Sequence, residues 1–280
     1  MARELRGRIR SGRLRPGQRM PTQAELADEF GVERGTVRQA LRILQSEHLL
    51  ANVTKGSPAT VAGPTEHALA APEAQPQSTT VALAPRIAAA FAAPHVEIDA
   101  LCLTAVSLTL AIGEPLRHIH AGRMNPAKVD VRVLLPSRDI ALAFPAPVVP
   151  ADTGADSRLH QRWLTQRNAQ GQVLRHNLLA LRSSHGIEVN VTFRALPFTP
   201  PVKLYLLNGC EALFAYYTLA RRGEEIDHEY LEMYDAQGWQ SPLFPFEQGT
   251  GLRDTTFVEQ SHVWFNALWN TISSDLTLTT

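Results

Sequence analysis

Residues 20–50 read MPTQAELADEFGVERGTVRQALRILQSEHLL, and their punctuation decides the fold of the N-terminal region. Pro21-Thr22 three residues ahead of Glu25 is a capping box. The Thr22 side chain can accept from the backbone N–H of Glu25, whose carboxylate can reach back to the Thr22 N–H. Leu26, Ala27 and Phe30 then share one helix face, and Gly31 ends the helix. After Val32-Glu33 a second helix places Val37, Ala40, Leu41 and Leu44 on one stripe. Arg34, Thr36, Arg38 and Gln39 are left on or beside the opposite face. Two short helices about a glycine turn, the second with a polar Arg/Thr/Gln face, describe a helix-turn-helix, whose second helix enters the DNA major groove. An αα-hairpin with a solvated basic face is the plain alternative.

The flanks decide between them. Upstream, LRGRIRSGRLRPGQRMP reads as a helix ending near Ser11-Gly12, followed by an extended Pro-Gly segment. Downstream, HLLANVTKGSPATVA reads as two short strands about a Lys55-Gly56 turn, a β-wing. Helix, helix-turn-helix and wing make a winged-helix domain. Residues 5–62 resemble the DNA-binding domain of the GntR family of bacterial transcriptional regulators. The resemblance is carried by Ile9, Ser11-Gly12, Pro16-Gly17, Pro21-Thr22, Glu25-Leu26-Ala27, Gly31-Val32, Arg34-Gly35-Thr36-Val37-Arg38 and Ala40-Leu41.

That resemblance implies a double-stranded DNA operator, near-palindromic because a homodimer presents two reading helices. The expected DNA-binding residues are Thr22, Gln23, Arg34, Gly35, Thr36, Arg38, Gln39, Lys55 and Gly56. Arg34, Thr36, Arg38 and Gln39 face base edges and nearby phosphates, Arg favouring guanine and Gln favouring adenine. Thr22 and Gln23 sit against phosphate at a helix N-terminus, and Lys55-Gly56 places the wing by the minor groove. The chain departs from the family at Glu33, where Ser or Thr is usual, at Ala24, often Arg or Glu, and in a wing whose only cation is Lys55.

Charge agrees once it is divided. Lys plus Arg and Asp plus Glu both total 27, yet residues 1–62 hold 11 of the cations and 6 of the acids. The footprint for a polyanion is therefore confined to the N-terminal domain. Seven of those cations are arginines at positions 3, 6, 8, 10, 13, 15 and 19, expected to orient the duplex through phosphates. The 2 cysteines, Cys102 and Cys210, are too few for a disulfide framework and are expected to pack as small apolar residues in a reducing cytoplasm. No secretory leader or membrane span is expected.

Residues 63–86, rich in Ala, Pro, Gln and Thr, read as a linker, with a short helix in PRIAAAFAAP. Residues 87–280 read as an α/β sheet domain for dimerisation and sensing of a small-molecule effector. HVEIDALCLTAVSL is a buried strand, EPLRHIHAGRMN a helix and VDVRVLLPSRD a second strand, hence a parallel pair. Residues 157–184 read as helical with a break near Gly171. IEVNVTFRALPF, VKLYLLNG, EALFAYYTLAR and HEYLEMYDA follow as four strands. In FVEQSHVWFNALWNTI, residues Phe257, Ser261, Trp264, Phe265, Leu268 and Trp269 form a stripe that marks core or a dimer seam.

PVKLYLLNG is similar to a half-site of the phospholipase D superfamily, with Pro201 for the histidine, Lys203 retained, Asn208 for the aspartate and Gly209 retained. The resemblance implies a phospholipase D-like fold that has lost its nucleophile, since proline offers no nucleophilic nitrogen. Its former anion pocket would be an effector site at Lys203 and Asn208, or an ordinary lysine beside a hairpin. A phosphodiesterase fused to a DNA-binding module is the alternative. No catalytic residue, cofactor or metal is expected; His118 and His120, two apart on a helix, point to different faces.

Overall fold

The computed structural model describes residues 1–10, 13–14, 17–46, 49–51, 58–61, 76–149 and 154–279. It divides into two compact units, Met1–Gln75 and Pro76–Thr280. In the first, α1 (Ala2–Arg10), α2 (Gln23–Phe30) and α3 (Arg34–Ser46) precede the antiparallel pair β1 (Leu50–Ala51) and β2 (Thr60–Val61). Leu5, Met20, Leu26, Val37, Leu41, Leu44, Leu50, Ala59 and Val61 form its core. The stripe expected on α3 is the buried one. Residues 18–20 run extended along β2, with Met20 N–H donating to Ala59 O at 2.7 Å and Val61 N–H to Gln18 O at 2.8 Å. Lys55, Gly56 and residues 63–75 of the expected linker lie outside the described residues.

The second unit opens with α4 (Thr79–Ala90), so residues 79–86 are helix, where composition suggests linker. Thr79, Leu83, Ile87 and Ala90 are its buried stripe, and Pro85 sits inside it without ending it. There follow β3 (His95–Leu101), α5 (Val106–His120), β4 (Lys128–Pro136), β5 (Ala146–Pro147), α6 (Ala155–His185), β6 (Glu188–Leu196), β7 (Val202–Leu207) and β8 (Glu211–Tyr216). The remainder is β9 (Thr218–Ile226), β10 (Glu229–Gln237), β11 (Phe244–Glu247), α7 (Leu252–Asn270) and β12 (Ser274–Asp275).

Seven strands form one mixed sheet in the order β11-β8-β7-β3-β4-β6-β12. The expected parallel pair is β3–β4, and β6 extends it, while β7 joins β3 antiparallel. Alternate residues Val96, Ile98, Ala100, Val129, Val131 and Val133 share a core with α4, α5 and α6. On the opposite face, Leu101, Leu134, Leu196, Leu204 and Leu206 pack with Val258, Phe265 and Leu268 of α7. The fold is thus α+β with helices on both faces of a mixed sheet.

Three further sequence expectations change. The apolar run after β3 turns helical at Val106, because Leu108, Ala111, Ile112, Leu116 and Ile119 repeat at helical spacing against the sheet. EALFAYYTLAR is two strands: β8 stays in the large sheet, and after Tyr217 the chain enters a second sheet, β5-β10-β9. Gly171 does not break α6, which runs unbroken for 31 residues. Instead the glycine admits the C-terminal tail, since a Cβ there would stand 2.8 Å from Leu278 Cδ2.

Candidate nucleic-acid interface

The capping box forms as expected. Thr22 Oγ1 accepts from Glu25 N–H at 3.3 Å and donates to Glu25 Oε2 at 2.9 Å, while Thr22 N–H donates to the same oxygen at 2.7 Å. The bond from the Thr22 backbone, then that from its hydroxyl, holds the Glu25 pKa below the usual carboxylate range. Thr22 is therefore engaged within the cap, and the amide of half-buried Gln23 is the freer of the two expected phosphate ligands. Gly31 closes the helix at φ 60, a left-handed conformation that glycine adopts without strain. Val32 N–H then donates back to Ala27 O at 3.0 Å, aiming α3 away from α2.

On α3 the Glu33 carbonyl accepts from Thr36 N–H at 3.0 Å and Val37 N–H at 3.3 Å. Val37, Ala40, Leu41 and Leu44 face inward, and Arg34, Gly35, Thr36, Arg38 and Gln39 are exposed. Arg34 and Arg38 extend to exposed Arg42 in a single line of four-residue steps. None of the three has a carboxylate partner among the described residues. Sequence reasoning stopped at Gln39 and missed Arg42, although the spacing was there to read. A Cβ at Gly35 would meet nothing within 4 Å, so internal packing does not require this glycine. Its cost to a helix, about 1 kcal/mol relative to alanine, makes sense where another backbone passes close. Glu33 is exposed and forms no ion pair among the described residues.

The N-terminal arginines divide. Arg8 Nη1 bonds Glu29 Oε1 at 2.6 Å, lies 3.5 Å from Glu4 and sits 5.2 Å above the Phe30 ring, fastening α1 to α2. It serves the fold rather than a phosphate. Arg13 and Arg19 are exposed.

The two residues expected to share an effector pocket stand at opposite ends of β7. Lys203 is buried, its Nζ donating to Thr79 Oγ1 at 3.0 Å and to the carbonyl of Gly238. Asn208 lies in the turn beyond the other end of the strand at φ 49, its Oδ1 accepting from Glu97 N–H at 2.8 Å and its Nδ2 donating to Ala90 O at 2.9 Å. It is a structural turn residue, and the pocket cannot include both. Cys102 is buried as expected, whereas Cys210 in that turn is exposed. His118 and His120 do not meet; His120 instead approaches His185 at 2.8 Å. His95, Glu97 and Asp130 bring ligand atoms within 4.8 Å, but Lys128 and Asn190 already bond Asp130 at 3.0 and 2.8 Å. No helix among the described residues is long and apolar enough to cross a membrane.

A three-helix core, an extended strand beside a two-stranded wing, and a second helix of the turn with an exposed basic face define the winged helix-turn-helix class of nucleic-acid-binding domains. Residues 1–61 are such a domain of the GntR type: they match the family model described as "Bacterial regulatory proteins, gntR family". They are similar to the mannosyl-D-glycerate transport/metabolism system repressor MngR of Escherichia coli (strain K12), 45% identical over 53 residues, which is 19% of this chain and 22% of that protein. The HTH-type transcriptional repressor NagR of Bacillus subtilis (strain 168) is 45% identical over 47 residues, 17% of this chain and 19% of its own length. The chain thus spans about a fifth of each relative. A solved structure titled "Structure of TrmBL2, an archaeal chromatin protein, shows a novel mode of DNA binding" covers 91% of this chain and 88% of its own at 13% identity. Its TM-score of 0.35 is too low for a shared fold to be argued.

Proposed function

We propose that this protein is a sequence-specific DNA-binding transcriptional regulator, cytoplasmic, acting as a homodimer on a near-palindromic operator. The observation that carries the proposal is the exposed row of Arg34, Arg38 and Arg42 on α3, without carboxylate partners among the described residues, in a GntR-type domain. Arg34, Thr36, Arg38 and Gln39 read base edges and adjacent phosphates; Gly35 lets the helix approach the backbone; Arg42 adds a phosphate contact. Gln23 holds phosphate at the start of α2, with Thr22 fixing that helix end, and Lys55-Gly56 brings the wing to the minor groove. One such module reads only a few base pairs, so two copies related by a two-fold axis are needed for a useful site.

The second unit supplies dimerisation and effector sensing in this reading. A phosphodiesterase role has less support, because Pro201 offers no nucleophile and Lys203 and Asn208 stand apart. The test is selection of bound sequences from a random duplex pool by the full chain. Enrichment of an inverted repeat is the expected result, and a pool that stays random sinks the proposal.

A further inference from the structure

A cavity of about 170 Å³ lies wholly inside the second unit, at the carboxyl end of β3. That end of a parallel strand, beside the point where neighbouring strands change direction, is where α/β sheets characteristically hold ligands. Its walls come from the β3–α5 corner, from Arg162, Trp163 and Gln166 on α6, and from β9–β10 and the segment after it. The corner is held open by its own bonds: Leu103 N–H donates to Tyr217 Oη at 2.6 Å, and Trp163 Nε1 donates to Leu103 O at 3.2 Å.

The charges around it do not cancel. Arg162 bonds Glu224 at 2.9 Å, and Arg222 bonds Asp235 at 2.8 Å, so two cations meet two carboxylates. Lys203 is the remainder. Only 2% exposed, it reaches the cavity with neutral partners, Thr79 Oγ1 and Gly238 O, and the Tyr217 ring 5.6 Å from its nitrogen. No carboxylate among the described residues pairs with it. Val106 and Ser107, in the first turn of α5, also line the space, and no side chain caps that 15-residue helix at its start. A buried ammonium without a counter-ion beside uncapped N–H groups is a site lacking its anion.

We propose that this cavity binds a small organic anion, its carboxylate or phosphate group held by Lys203 and the first turn of α5. An engineered cavity of roughly 150 Å³ takes benzene, so one ring or short chain with one acidic group fits. Trp163 and Tyr217 supply the apolar wall, and Trp239, 54% exposed, stands at the mouth. The regulatory consequence rests on the sensing role proposed above; the binding itself does not.

Binding should fade as pH rises through about 8, where burial has lowered the Lys203 pKa and the ammonium loses its charge. Cys102, Tyr205 and Tyr217, which also face it, do not titrate there. Burial pushes the Cys102 thiol up to about 12 and the Tyr205 and Tyr217 hydroxyls well above their usual value, and Arg162, Arg222 and Asp235 are tied in ion pairs.

The experiment is calorimetric titration of the full chain with benzoate, phenyl phosphate and uncharged benzamide. Saturable binding of either acid with none for benzamide is expected, and which acid binds more tightly tells carboxylate from phosphate. Lys203→Met should weaken it about tenfold or more. Gln166→Glu is the second variant, on an exposed position of α6 that lines the cavity, so folding is not at stake. Its added carboxylate should abolish acid binding while leaving the thermal midpoint unchanged or higher. Equal binding of benzamide, indifference to Gln166→Glu, or no saturation by either acid at millimolar concentration overturns the site. Acid binding that leaves DNA affinity unchanged upholds the site and removes the sensing role instead.

Discussion

Arginine does opposite work in the two units. In the second it is a fastener: Arg132 forks onto Asp99 at 2.7 and 2.6 Å, and Arg162 and Arg222 link α6 to β9 and β10 through Glu224 and Asp235. On α3 of the first unit, Arg34, Arg38 and Arg42 have no such partner among the described residues and point outward. What separates the roles is whether a carboxylate lies within reach, and that is set by the fold. Arg8 makes the point within the first unit, since Glu29 and Glu4 turn it into a fastener as well.

The sharpest way to break the comparison is to remove members of each set. Arg34→Ala and Arg38→Ala should each weaken operator binding by about 1–3 kcal/mol, and together by roughly the sum if each contacts its own base or phosphate. The log-log slope of affinity against salt should fall by about one for each lost phosphate contact. Arg221→Ala, exposed and paired with Glu232 at 2.6 Å, should leave DNA affinity unchanged and stability within about 1 kcal/mol. If the α3 variants bind as the parent does in gel-shift titrations, outward-facing arginine is not diagnostic and the interface assignment fails.

A smaller effect tests a close approach in the second unit. Gly171→Val should drive its side chain into Leu278 and destabilise the unit by about 1–3 kcal/mol, measured by urea unfolding followed by fluorescence. An unchanged midpoint would mean that the tail can leave α6 freely.

That glycine also shows where the sequence stops being legible. The capping box, the Gly31 turn and the α3 stripe were readable because each is settled within a few residues by hydrogen bonds and helical spacing. The parallel β3–β4 pair was readable for the same reason, as strand, helix and strand follow in order. Gly171 was read as a break because its partner is more than a hundred positions away. The same distance hides the partition of arginines: nothing near Arg8 announces Glu29, and nothing near Lys203 announces Thr79. The half-site resemblance misled by joining Lys203 to Asn208 through sequence adjacency, when a six-residue strand sends them to opposite edges. The cavity was out of reach altogether, because segments far apart in the chain build it.

Thr22→Ala sharpens the comparison within the first unit. It removes the hydroxyl half of the cap and should cost about 1 kcal/mol, read from thermal unfolding followed by helical circular dichroism. The cap should also carry a pH signature. Because the folded-state pKa of Glu25 is lowered, its contribution is present above the ordinary value of 4.5 and is lost as pH falls through the folded value. The destabilisation by Thr22→Ala should therefore shrink on acidification, and a constant difference across that range would show that the Thr22 hydroxyl does not donate to the Glu25 carboxylate.

The smallest expected effect concerns an acid on the reading surface. Glu33 sits exposed at the start of α3 with no ion pair among the described residues, one residue before the arginine row. A carboxylate there suits the positive end of the helix dipole, so the residue favours the free domain. It opposes a phosphate, and two such charges about 8 Å apart in water repel by about 0.5 kcal/mol. Glu33→Thr should therefore tighten DNA binding by about 0.5 kcal/mol at low salt, with the gain fading as salt rises. Its thermal midpoint should stay level or fall slightly. Weaker binding by the variant would instead mean that Glu33 accepts from a base, cytosine N4 being the donor a carboxylate suits. Base substitution at that operator position would then separate the two readings, because electrostatic repulsion is blind to sequence and a base contact is not.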